Sequence, residues 1–379
     1  MSRLGGFMKL LILSCNTGQG HNAAGKAVAE EMERQGIAWE MKDVMQFAGS
    51  HTSKTVEEIY VKVTTKTPWL FEGAYKAGEW ISSSKRKSPV YLANIHYAHS
   101  LYEYIRQEKI DGVVMPHLFP AEAMTYIRRH FDRTIPCYGI ATDYTCIPFW
   151  EETELDYYFV PPLRAGESFL EKGIPAEKLI TTGIPVSAKF WEKTDRKEAR
   201  ERLHLPMEKT VFLVMTGSMG YGSTAELVEK LAGQGGKDAA VIVMTGRNGK
   251  LKRELESRDY GAVHVEVLPY TDQISLYMDA CDVLLTKPGG LTSTEAAVKH
   301  VPMIHTKPIP GCETINAAFF SDYGMAVCAY DTASAAKEAF LLAGDEKKKE
   351  EMRQRQREVI PERAAETICS FIVNDLKKR

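Results

Sequence analysis

The chain lacks the features that mark several large protein classes. No apolar stretch is long enough to cross a bilayer, and the short apolar run near the start leads into a glycine turn without a cleavage site. The formal net charge is only -2 over 379 residues, which gives no basic footprint for duplex nucleic acid. We therefore expect a cytoplasmic protein with no nucleic-acid partner.

Two metal-binding patterns are also missing. The seven cysteines include no C-x-x-C pair, so we predict free thiols in a reducing compartment rather than zinc ligands. No D-x-D dyad occurs either, although such paired carboxylates commonly hold a divalent metal ion. The sequence therefore predicts no metal site.

The composition is that of a globular protein, and the length exceeds that of one ordinary domain. Hydrophobic residues make up 44% of the chain and charged residues 26%, which is typical of soluble globular proteins. Single hydrophobic cores stop growing at about 250–300 residues. A chain of 379 residues is therefore expected to form two domains.

Short apolar runs alternate with helical patterns, as in parallel βαβ proteins. The predicted strands are KLLILS, AWEMKDV, GVVMPH, CYGIAT and YYFVP in the first half, and VFLVMTG, AVIVMTG, VHVEVL, VLLTKP, MIHTK and AVCAY in the second. Proline and charge interrupt the pattern at residues 181–210, which indicates an interdomain linker and a short helix. We predict two Rossmann-like, doubly wound α/β domains at 1–188 and 189–359, and a terminal helix at 360–379 that packs on the first domain.

A glycine-rich loop, SCNTGQGHNAA, follows the first predicted strand and allows three interpretations. Gly18, Gly20 and Ala23 fit the G-x-G-x-x-G/A pattern of dinucleotide-binding folds, with Asp43 as the ribose-binding acid. The glycines also fit a simple tight turn, with His21 exposed at the helix start. The third interpretation is an acceptor-side active-site loop, in which backbone amides such as that of Gly20 face a cleft and His21 is a general base.

The second half contains two loops that suit anions. MTGSMGYGS, residues 215–223, carries glycines and hydroxyls after a strand, which leave backbone N–H groups free to face a phosphate. TKPGGLTSTEAA, residues 286–297, places Gly289 and Gly290 at a helix start, where the amides and the helix dipole favour an anion. Two such loops indicate a diphosphate. Glu295 is then near enough to accept hydrogen bonds from ribose hydroxyls, unless it is an ordinary exposed side chain.

Polar side chains that suit sugar hydroxyls follow two further strands. Glu313 and Asn316 lie in PIPGCETINA at the beginning of a helix, and Arg247 and Asn248 lie in TGRNG. Carboxylate and amide groups can accept from and donate to sugar hydroxyls. Helix capping is the competing role for Glu313 and Asn316.

The order and spacing of these motifs resemble glycosyltransferase family 28 in the broad sense. The resemblance runs through LSCNTGQGHNAAG, MPHLFPAEA, ATDYTCIPFW, DYYFVPP, TTGIPV, MTGSMG, TGRN, TKPGGLTSTEAA and PIPGCETINA, which together extend over nearly the whole chain. It is strongest to the monogalactosyldiacylglycerol synthases and the processive diacylglycerol glucosyltransferases. ATDYTCIPFW departs from the family pattern, because Cys146 and Ile147 stand where a histidine is frequent. That departure concerns the acceptor more than the fold.

The resemblance implies a GT-B fold, with two domains facing a cleft. It also implies an inverting, metal-independent transfer of a hexose from a UDP-sugar to a lipid acceptor such as diacylglycerol, without a cofactor. The N-terminal domain would bind the acceptor and the C-terminal domain the donor. The residues that match family positions are Gly217 and Ser218 in the diphosphate loop, Gly289 and Gly290 at the helix start, Glu295 at the ribose, Glu313 and Asn316 at the donor sugar, His21 at the acceptor hydroxyl, and Trp150 in the acceptor region.

Such a transfer needs a base for the attacking hydroxyl and stabilisation of the departing UDP. His21 is the predicted base, and Asp143 is either a second candidate or the group that orients His21. His117 is expected at the same cleft edge; alternatively, His117 and Asp143 each close a local hydrogen bond. The leaving diphosphate would be stabilised by the helix dipole, by backbone amides and by the hydroxyls of Thr216, Ser218 and Thr292.

Residues 60–104 concentrate aromatic side chains around the basic run Lys85, Arg86 and Lys87. This mixture suits peripheral contact with an anionic membrane surface, although aromatic residues at helical spacing also fill cores. We expect a peripheral location on the inner face of the cell membrane, chiefly because of the family resemblance.

Three other functions stay open at the level of sequence. The same donor motifs would serve a UDP-sugar enzyme with a non-lipid acceptor or a UDP-sugar epimerase. They would also serve a protein that binds a nucleotide sugar without turnover. A dinucleotide-dependent oxidoreductase is supported only by the first glycine loop and Asp43, and the phosphate loops of the second half argue against it.

Overall fold

The computed structural model describes residues 8–16, 19–49, 87–215 and 224–379. The chain divides into two compact units, which we call unit 1 (Met1–Ala188 with Arg363–Arg379) and unit 2 (Lys189–Glu362). Each unit is built around a parallel sheet of six strands. The predicted doubly wound α/β architecture is therefore confirmed.

The sheet of unit 1 has the strand order β2-β1-β3-β4-β5-β6. Its strands are β1 Lys9–Ser14, β2 Ala38–Asp43, β3 Gly112–Met115, β4 Cys137–Ile140, β5 Tyr157–Val160 and β6 Leu179–Thr181. Its helices are α1 Gln19–Arg34, α2 Pro89–Asn94, α3 Ala98–Gln107, α4 Leu118–His130 and α5 Arg164–Glu171, together with the C-terminal helix described below. Short 3-10 turns lie at Val44–Ala48, Ile95–Tyr97, Trp150–Glu152 and Ala176–Lys178. The strand order reverses direction between β1 and β3, which is where doubly wound sheets bind ligands.

The sheet of unit 2 has the strand order β12-β11-β10-β7-β8-β9. Its strands are β7 Thr210–Met215, β8 Ala239–Met244, β9 His264–Leu268, β10 Val283–Thr286, β11 Met303–His305 and β12 Val327–Cys328. Its helices are α6 Ala188–Trp191 at the boundary, α7 Arg196–Arg202, α8 Thr224–Gly235, α9 Gly249–Glu256, α10 Ile274–Ala280, α11 Gly290–Val298, α12 Cys312–Asp322, α13 Thr332–Gly344 and α14 Glu346–Val359, with a 3-10 turn at Gly236–Asp238.

The alternation of side chains along β1 explains how both faces of the first sheet are covered. Leu11 and Leu13 belong to one hydrophobic cluster, whereas Leu10 and Ile12 belong to another, because successive side chains of a strand point to opposite faces. The second cluster includes Ile368 of the last helix, α15, which spans Ala364–Lys378. The C-terminal helix therefore packs on unit 1.

The register of unit 2 brings its loops to one edge of the sheet. Met215 at the end of β7 pairs with Thr286 at the end of β10 and with Met244 at the end of β8. The segments that follow β8 and β10, beginning at residues 245 and 287, therefore start at the edge where β7 also ends. That edge is the carboxyl end of the strands, where ligands of open α/β sheets bind.

The sequence prediction missed one strand and misplaced several ends. β6 has only three residues and lies at the edge of the sheet between Pro175 and Gly183, so it shows little periodicity. The predicted strands GVVMPH and VLLTKP end early, at Met115 and Thr286, because the following prolines, at 116 and 288, restrict the backbone and cannot donate a ladder hydrogen bond. The terminal helix begins at Ala364 rather than at residue 360, since Pro361 separates it from α14.

No helix of the described residues combines the length and the apolar character that a membrane span needs.

Candidate active site

The loop after β1 leads directly into the first turn of α1. Because α1 begins at Gln19, Gly20 and His21 lie where backbone N–H groups have no intrahelical acceptor. Gly18 lies outside the described residues. The first turn of α1 thus presents both amide groups and an imidazole at the switch point of the sheet.

Three polar side chains stabilise this loop. Asn22 Nδ2 donates to Asn16 Oδ1 at 2.7 Å, and Asn16 Nδ2 donates to Asp43 Oδ2 at 2.8 Å. The other oxygen of Asp43 accepts from the backbone N–H of Met45 at 3.0 Å, which caps the 3-10 turn after β2. Asp43 therefore holds the local backbone, which is not the role that a ribose-binding acid of a dinucleotide fold would have.

His21 is oriented through its Nδ1 atom. Nδ1 lies 3.0 Å from the carbonyl oxygen of Pro116 and 2.8 Å from Oγ1 of Thr142. Burial lowers the pKa of His21 below its ordinary value, while the Asp143 carboxylate acts in the opposite direction. At neutral pH the imidazole is therefore uncharged, which is the state that a general base requires.

His117 lies against His21 and caps the following helix. The two rings meet edge to face with centroids 4.5 Å apart, and His117 Nδ1 accepts a hydrogen bond from the backbone N–H of Phe119 at 3.0 Å. Burial lowers the pKa of His117 well below its usual value, and the neighbouring His21 contributes in the same direction. His117 thus lies beside His21 as expected, and it also closes the local hydrogen bond that the sequence left as the alternative.

Asp143 follows Thr142 in the loop after β4 and is half-buried. Its charge raises the pKa of His21, so it lies close enough to stabilise an imidazolium. The recorded hydrogen bonds at Nδ1 of His21 come instead from Pro116 and Thr142. These two residues orient His21 at Nδ1, and the Asp143 carboxylate acts on the imidazole through its charge. The expected roles of Asp143, as a second base or as the group that orients His21, stay predictions.

Trp150 lies in the core of unit 1. Its side chain is only 4% exposed and belongs to the hydrophobic core of that unit. The indole packs edge-on to Tyr158 and lies against Gly139, where an added Cβ would come within 3.0 Å of Cζ3 of Trp150. Its large apolar area packs β4 and β5, and its expected place in the acceptor region stays a prediction.

In unit 2 the diglycine lies at the N-terminus of α11, as the sequence indicated. Gly289 is the N-cap residue and Gly290 is the first residue of the helix. A Cβ at Gly289 would meet no atom within 4 Å, so the backbone at this end can be approached closely. Thr292 is half-buried in the first turn. The backbone amides of this first turn and the positive end of the dipole favour an anion here, while the N–H of Gly289 itself donates to the carbonyl of Lys287 at 2.8 Å.

Glu295 lies on the same helix, one turn further on, and is half-buried. Burial raises the pKa of its carboxyl to about 8, and the positive charge of Lys189 opposes that shift only in part. Hydrogen-bond donors of a ligand favour the charged form of such a carboxyl. A ligand that donates to Glu295 would therefore lower its pKa again.

A partly buried ion pair connects the loop after β10 with α12. Lys287 Nζ lies 2.6 Å from Oε1 of Glu313, and Oε2 of Glu313 accepts from the backbone N–H of Ile309 at 2.9 Å. Asn316 is fully buried and donates from Nδ2 to the carbonyl of Pro288 at 3.1 Å. Glu313 and Asn316 therefore brace the two loops beside the diglycine, and neither acts as an N-cap, since Gly311 holds that position.

Arg247 and Asn248 follow β8 at the same edge of the sheet. Arg247 is exposed, whereas Asn248 is half-buried and caps α9 by accepting a hydrogen bond from the N–H of Leu251 at 3.0 Å. Thr216, Gly217 and Ser218 lie outside the described residues. In the part of the chain that the structure describes, no group of three or more His, Cys, Asp or Glu side chains could hold a metal ion.

Three residues of these sites were not selected from the sequence. Pro116 and Thr142 were overlooked because their contact with His21 depends on three neighbouring strands, β1, β3 and β4, that end at one edge. Lys287 was overlooked because a lysine before a proline has no distinctive pattern. Its position two residues before the diglycine in TKPGG was the available signal.

Comparison with known protein families covers most of the chain. Residues 21–186 match the family described as Monogalactosyldiacylglycerol (MGDG) synthase. Residues 211–366 match the Glycosyltransferase family 28 C-terminal domain. The two matched regions correspond closely to unit 1 and unit 2, respectively.

Curated relatives are similar over almost their full length. A processive diacylglycerol beta-glucosyltransferase of Bacillus licheniformis is 29% identical over 369 residues, which are 96% of this chain and 94% of the relative. The protein of the same description from Bacillus mycoides is 29% identical over 375 residues, with 97% and 94% coverage.

Solved structures share the fold at low sequence identity. MurG of Acinetobacter baumannii superposes with a TM-score of 0.59 at 15% identity, covering 97% of this chain and 99% of that one. The glycotransferase of kitacinnamycin gives 0.64 at 13% identity, with 98% and 99% coverage. A UDP complex of S. aureus MnaA gives 0.62 at 14% identity, with 98% and 97% coverage. The fold is thus that of the GT-B glycosyltransferases.

Proposed function

Since this chain belongs to glycosyltransferase family 28 in the broad sense, as a hexosyltransferase with a UDP-sugar donor, we propose that its acceptor is a lipid such as diacylglycerol and that it makes a glycolipid. The MGDG synthase match of residues 21–186 and the similarity to diacylglycerol glucosyltransferases support the choice of acceptor. The structural observation that carries the proposal is a neutral His21, oriented at Nδ1 and placed in the first turn of α1.

On the acceptor side, His21 acts as the general base. Its Nε2 atom takes the proton of the attacking hydroxyl while the oxygen bonds to the anomeric carbon, so that the configuration is inverted. The Asp143 carboxylate stabilises the imidazolium that forms. Gly20 and His117 lie beside His21 and border the acceptor. Trp150 supports this region from the core of unit 1.

On the donor side, unit 2 binds the UDP-sugar. Gly290 donates a backbone hydrogen bond to the diphosphate at the helix start, with Gly289 and Thr292 nearby, and Glu295 accepts from the ribose hydroxyls. Glu313, Asn316, Arg247 and Asn248 border the sugar and nucleotide, and Thr216, Gly217 and Ser218 complete the phosphate loop. The departing UDP is stabilised by fixed dipoles and hydroxyls without a metal ion.

A peripheral contact with the inner membrane surface brings the enzyme to its acceptor. The basic run contributes about 1 kcal/mol per residue near an anionic leaflet. Of its three residues, only Lys87 is described, and it lies over the ring of Tyr91 with Nζ 4.4 Å from the centroid. The Lys85→Glu, Arg86→Glu, Lys87→Glu variant should sediment less with anionic liposomes and bind UDP normally. Equal sedimentation of the variant and the wild type would contradict the membrane contact.

The first experiment separates ligand classes. UDP at a hundred times its dissociation constant stabilises a fold by about 2.7 kcal/mol, so it should raise the melting temperature, whereas NAD should not. UDP-glucose and UDP-galactose are then incubated with diacylglycerol liposomes, with EDTA as a metal control, and the anomeric configuration of the product is determined by NMR. Because the transfer inverts the configuration, an α-linked donor should give a β-linked glycolipid. This product should also form in EDTA, because no metal ion is needed.

Two outcomes would redirect the assignment. Conversion of a UDP-sugar to its epimer without any acceptor would favour epimerisation. Transfer to water-soluble acceptors but not to liposomes would favour a non-lipid acceptor.

His21→Gln should abolish transfer and leave the UDP-induced thermal shift intact, because the substitution lies in unit 1 and the donor site in unit 2.

A further inference from the structure

The hydrogen-bond partners of His21 determine which nitrogen carries the proton. Nδ1 lies 3.0 Å from the carbonyl oxygen of Pro116. A carbonyl oxygen can only accept, so Nδ1 must donate and therefore carries the hydrogen in the neutral ring. The lone pair of the neutral imidazole is then on Nε2, which is the atom left for an acceptor hydroxyl.

Thr142 adds a second acceptor at the same atom. Its Oγ1 lies 2.8 Å from Nδ1. Because Nδ1 has a hydrogen and no in-plane lone pair, the threonine oxygen accepts and its own hydrogen points elsewhere. Two oxygens that share one N–H fix the plane of the ring more closely than one would. An acceptor at Nδ1 also raises the basicity of the other ring nitrogen, as in metal-bound histidines.

The backbone explains why both oxygens are available. Pro116 directly follows β3 and Thr142 follows β4 by two residues, and Met115 pairs with Gly139 between these strands. Both loops therefore begin at the edge where α1 starts. Thr142 is only 9% exposed, so water competes little for the contact.

The neighbouring histidine cannot replace His21 in this arrangement. His117 uses the lone pair of Nδ1 to accept from Phe119, so its hydrogen is on Nε2. Protonation of His117 would place a hydrogen on Nδ1 and break the cap of α4. The two touching imidazoles thus have opposite tautomers, and only His21 presents an Nε2 lone pair.

We propose that Thr142 is a positioning residue that, together with the carbonyl of Pro116, holds His21 in the Nδ1–H tautomer with Nε2 directed to the acceptor. This inference rests on the proposed function for its kinetic consequence. The tautomer itself is a property of the protein without substrate.

The test compares Thr142→Val, which keeps the shape and removes the hydroxyl, with Thr142→Ser, which restores it. Thr145→Val is the matched control, because Thr145 lies in the same loop, is also 9% exposed, and has no contact with His21 among the described residues. Histidine-selective nitrogen-15 labelling, with the signals of His21 assigned from their loss in His21→Gln, reports the tautomer in the full-length protein.

We expect wild type and Thr145→Val to give a protonated Nδ1 and an unprotonated Nε2 for His21. Thr142→Val keeps the Pro116 carbonyl but loses the threonine oxygen, so it should give a larger fraction of the Nε2–H tautomer than the wild type. Loss of one such hydrogen bond should lower kcat by about tenfold, with KM for the UDP-sugar unchanged. The acid limb of the rate profile should move to lower pH, since the imidazolium loses an acceptor. Thr142→Ser should restore the tautomer and most of kcat. The UDP-induced thermal shift should be the same in all variants.

Two results would overturn the inference: a proton on Nε2 of His21 in the wild type, or a Thr142→Val variant with wild-type nitrogen shifts and kcat. If the Nδ1–H tautomer is found and depends on Thr142, but no sugar is transferred to lipid, the proposed function fails and the positioning role at His21 stands.

Discussion

The imidazole of His21 meets that of His117 edge to face, with ring centroids 4.5 Å apart and an interplanar angle of 77°. Two touching imidazoles in a buried place cannot both be charged at low cost, since each cation disfavours the other. His117 is kept neutral by burial and by its cap on α4. His21 is therefore the ring that accepts a proton, and the negative charge of Asp143 favours that event.

The pH dependence of activity should follow His21. Burial lowers its pKa below the ordinary value of 6.5, and the base is active when neutral. The rate should therefore stay high at pH values at which a free imidazole is already protonated. It should fall only in more acidic solution. Asp143→Asn removes the charge that raises this pKa, so the acid limb of kcat/KM should move to lower pH while the plateau falls roughly tenfold to a hundredfold.

The control for that profile is Asp132→Asn, a half-buried carboxylate just after α4 whose hydrogen bonds among the described residues go to Thr134 of the same turn. It should leave both the limb and the plateau unchanged. If the acid limb of Asp143→Asn lies at the same pH as that of the wild type, or at a higher pH, the electrostatic role of Asp143 is contradicted.

Donor binding should be linked to the ionisation of Glu295. Burial raises its pKa to about 8, whereas ribose hydroxyls that donate to it favour the carboxylate. UDP binding should therefore release protons near neutral pH, and affinity should rise with pH until it levels off above about 8. Calorimetry in two buffers of different ionisation enthalpy measures the released protons. Glu295→Gln should bind more weakly and release none; an equal release would show that another group titrates.

The buried carboxyl of Glu122 should make unit 1 less stable at alkaline pH. Burial raises its pKa from 4.5 to about 9, and the charge of Glu152 adds to the effect. Between these values the unfolded state loses the proton and the folded state keeps it, so stability decreases as pH rises, by about 1 kcal/mol per pH unit at most. Above the folded-state pKa the loss is complete and the slope disappears.

Glu122→Gln tests this because the amide has nearly the same shape and cannot ionise. Its melting temperature should exceed that of the wild type by a margin that grows between pH 6 and pH 9. Glu103→Gln, on the exposed side of α3, is the control and should follow the wild type. A constant difference between Glu122→Gln and wild type over this range would mean that Glu122 does not hold its proton in the folded protein.

The last turn of α15 should contribute measurably to the stability of unit 1. The hydroxyl of the fully buried Tyr138 donates to Oδ2 of Asp375 at 2.6 Å, and Arg379 pairs with both Asp375 and Asp156. Asp375→Ala leaves that phenol without its acceptor, which costs about 1–3 kcal/mol. Asn374→Ala, the exposed neighbour, should cost little. Thermal unfolding measures both, and equal melting temperatures would contradict the contact.

Much of the fold was accessible from the chain alone. Eleven of the twelve strands in the described residues follow from the sequence pattern. Runs such as KLLILS and AVIVMTG are apolar throughout because these central strands are buried on both faces. β6 escaped this reasoning because three residues at a sheet edge carry almost no periodic signal. The site residues from sequence remain predictions, and the structure adds their surroundings: Trp150 lies in the core of unit 1, and Asp143 influences His21 through its charge.

Sequence by itself determined the two α/β units, the glycine turns at strand ends and the family, since each depends on local pattern or on motifs in a fixed order. Only the tertiary structure decided what the side chains contact. The tautomer of His21 depends on Pro116 and Thr142, which are 95 and 121 residues away along the chain, and the raised pKa of Glu295 depends on its burial. Such properties arise from desolvation and from contacts between distant segments, neither of which is encoded in a local pattern.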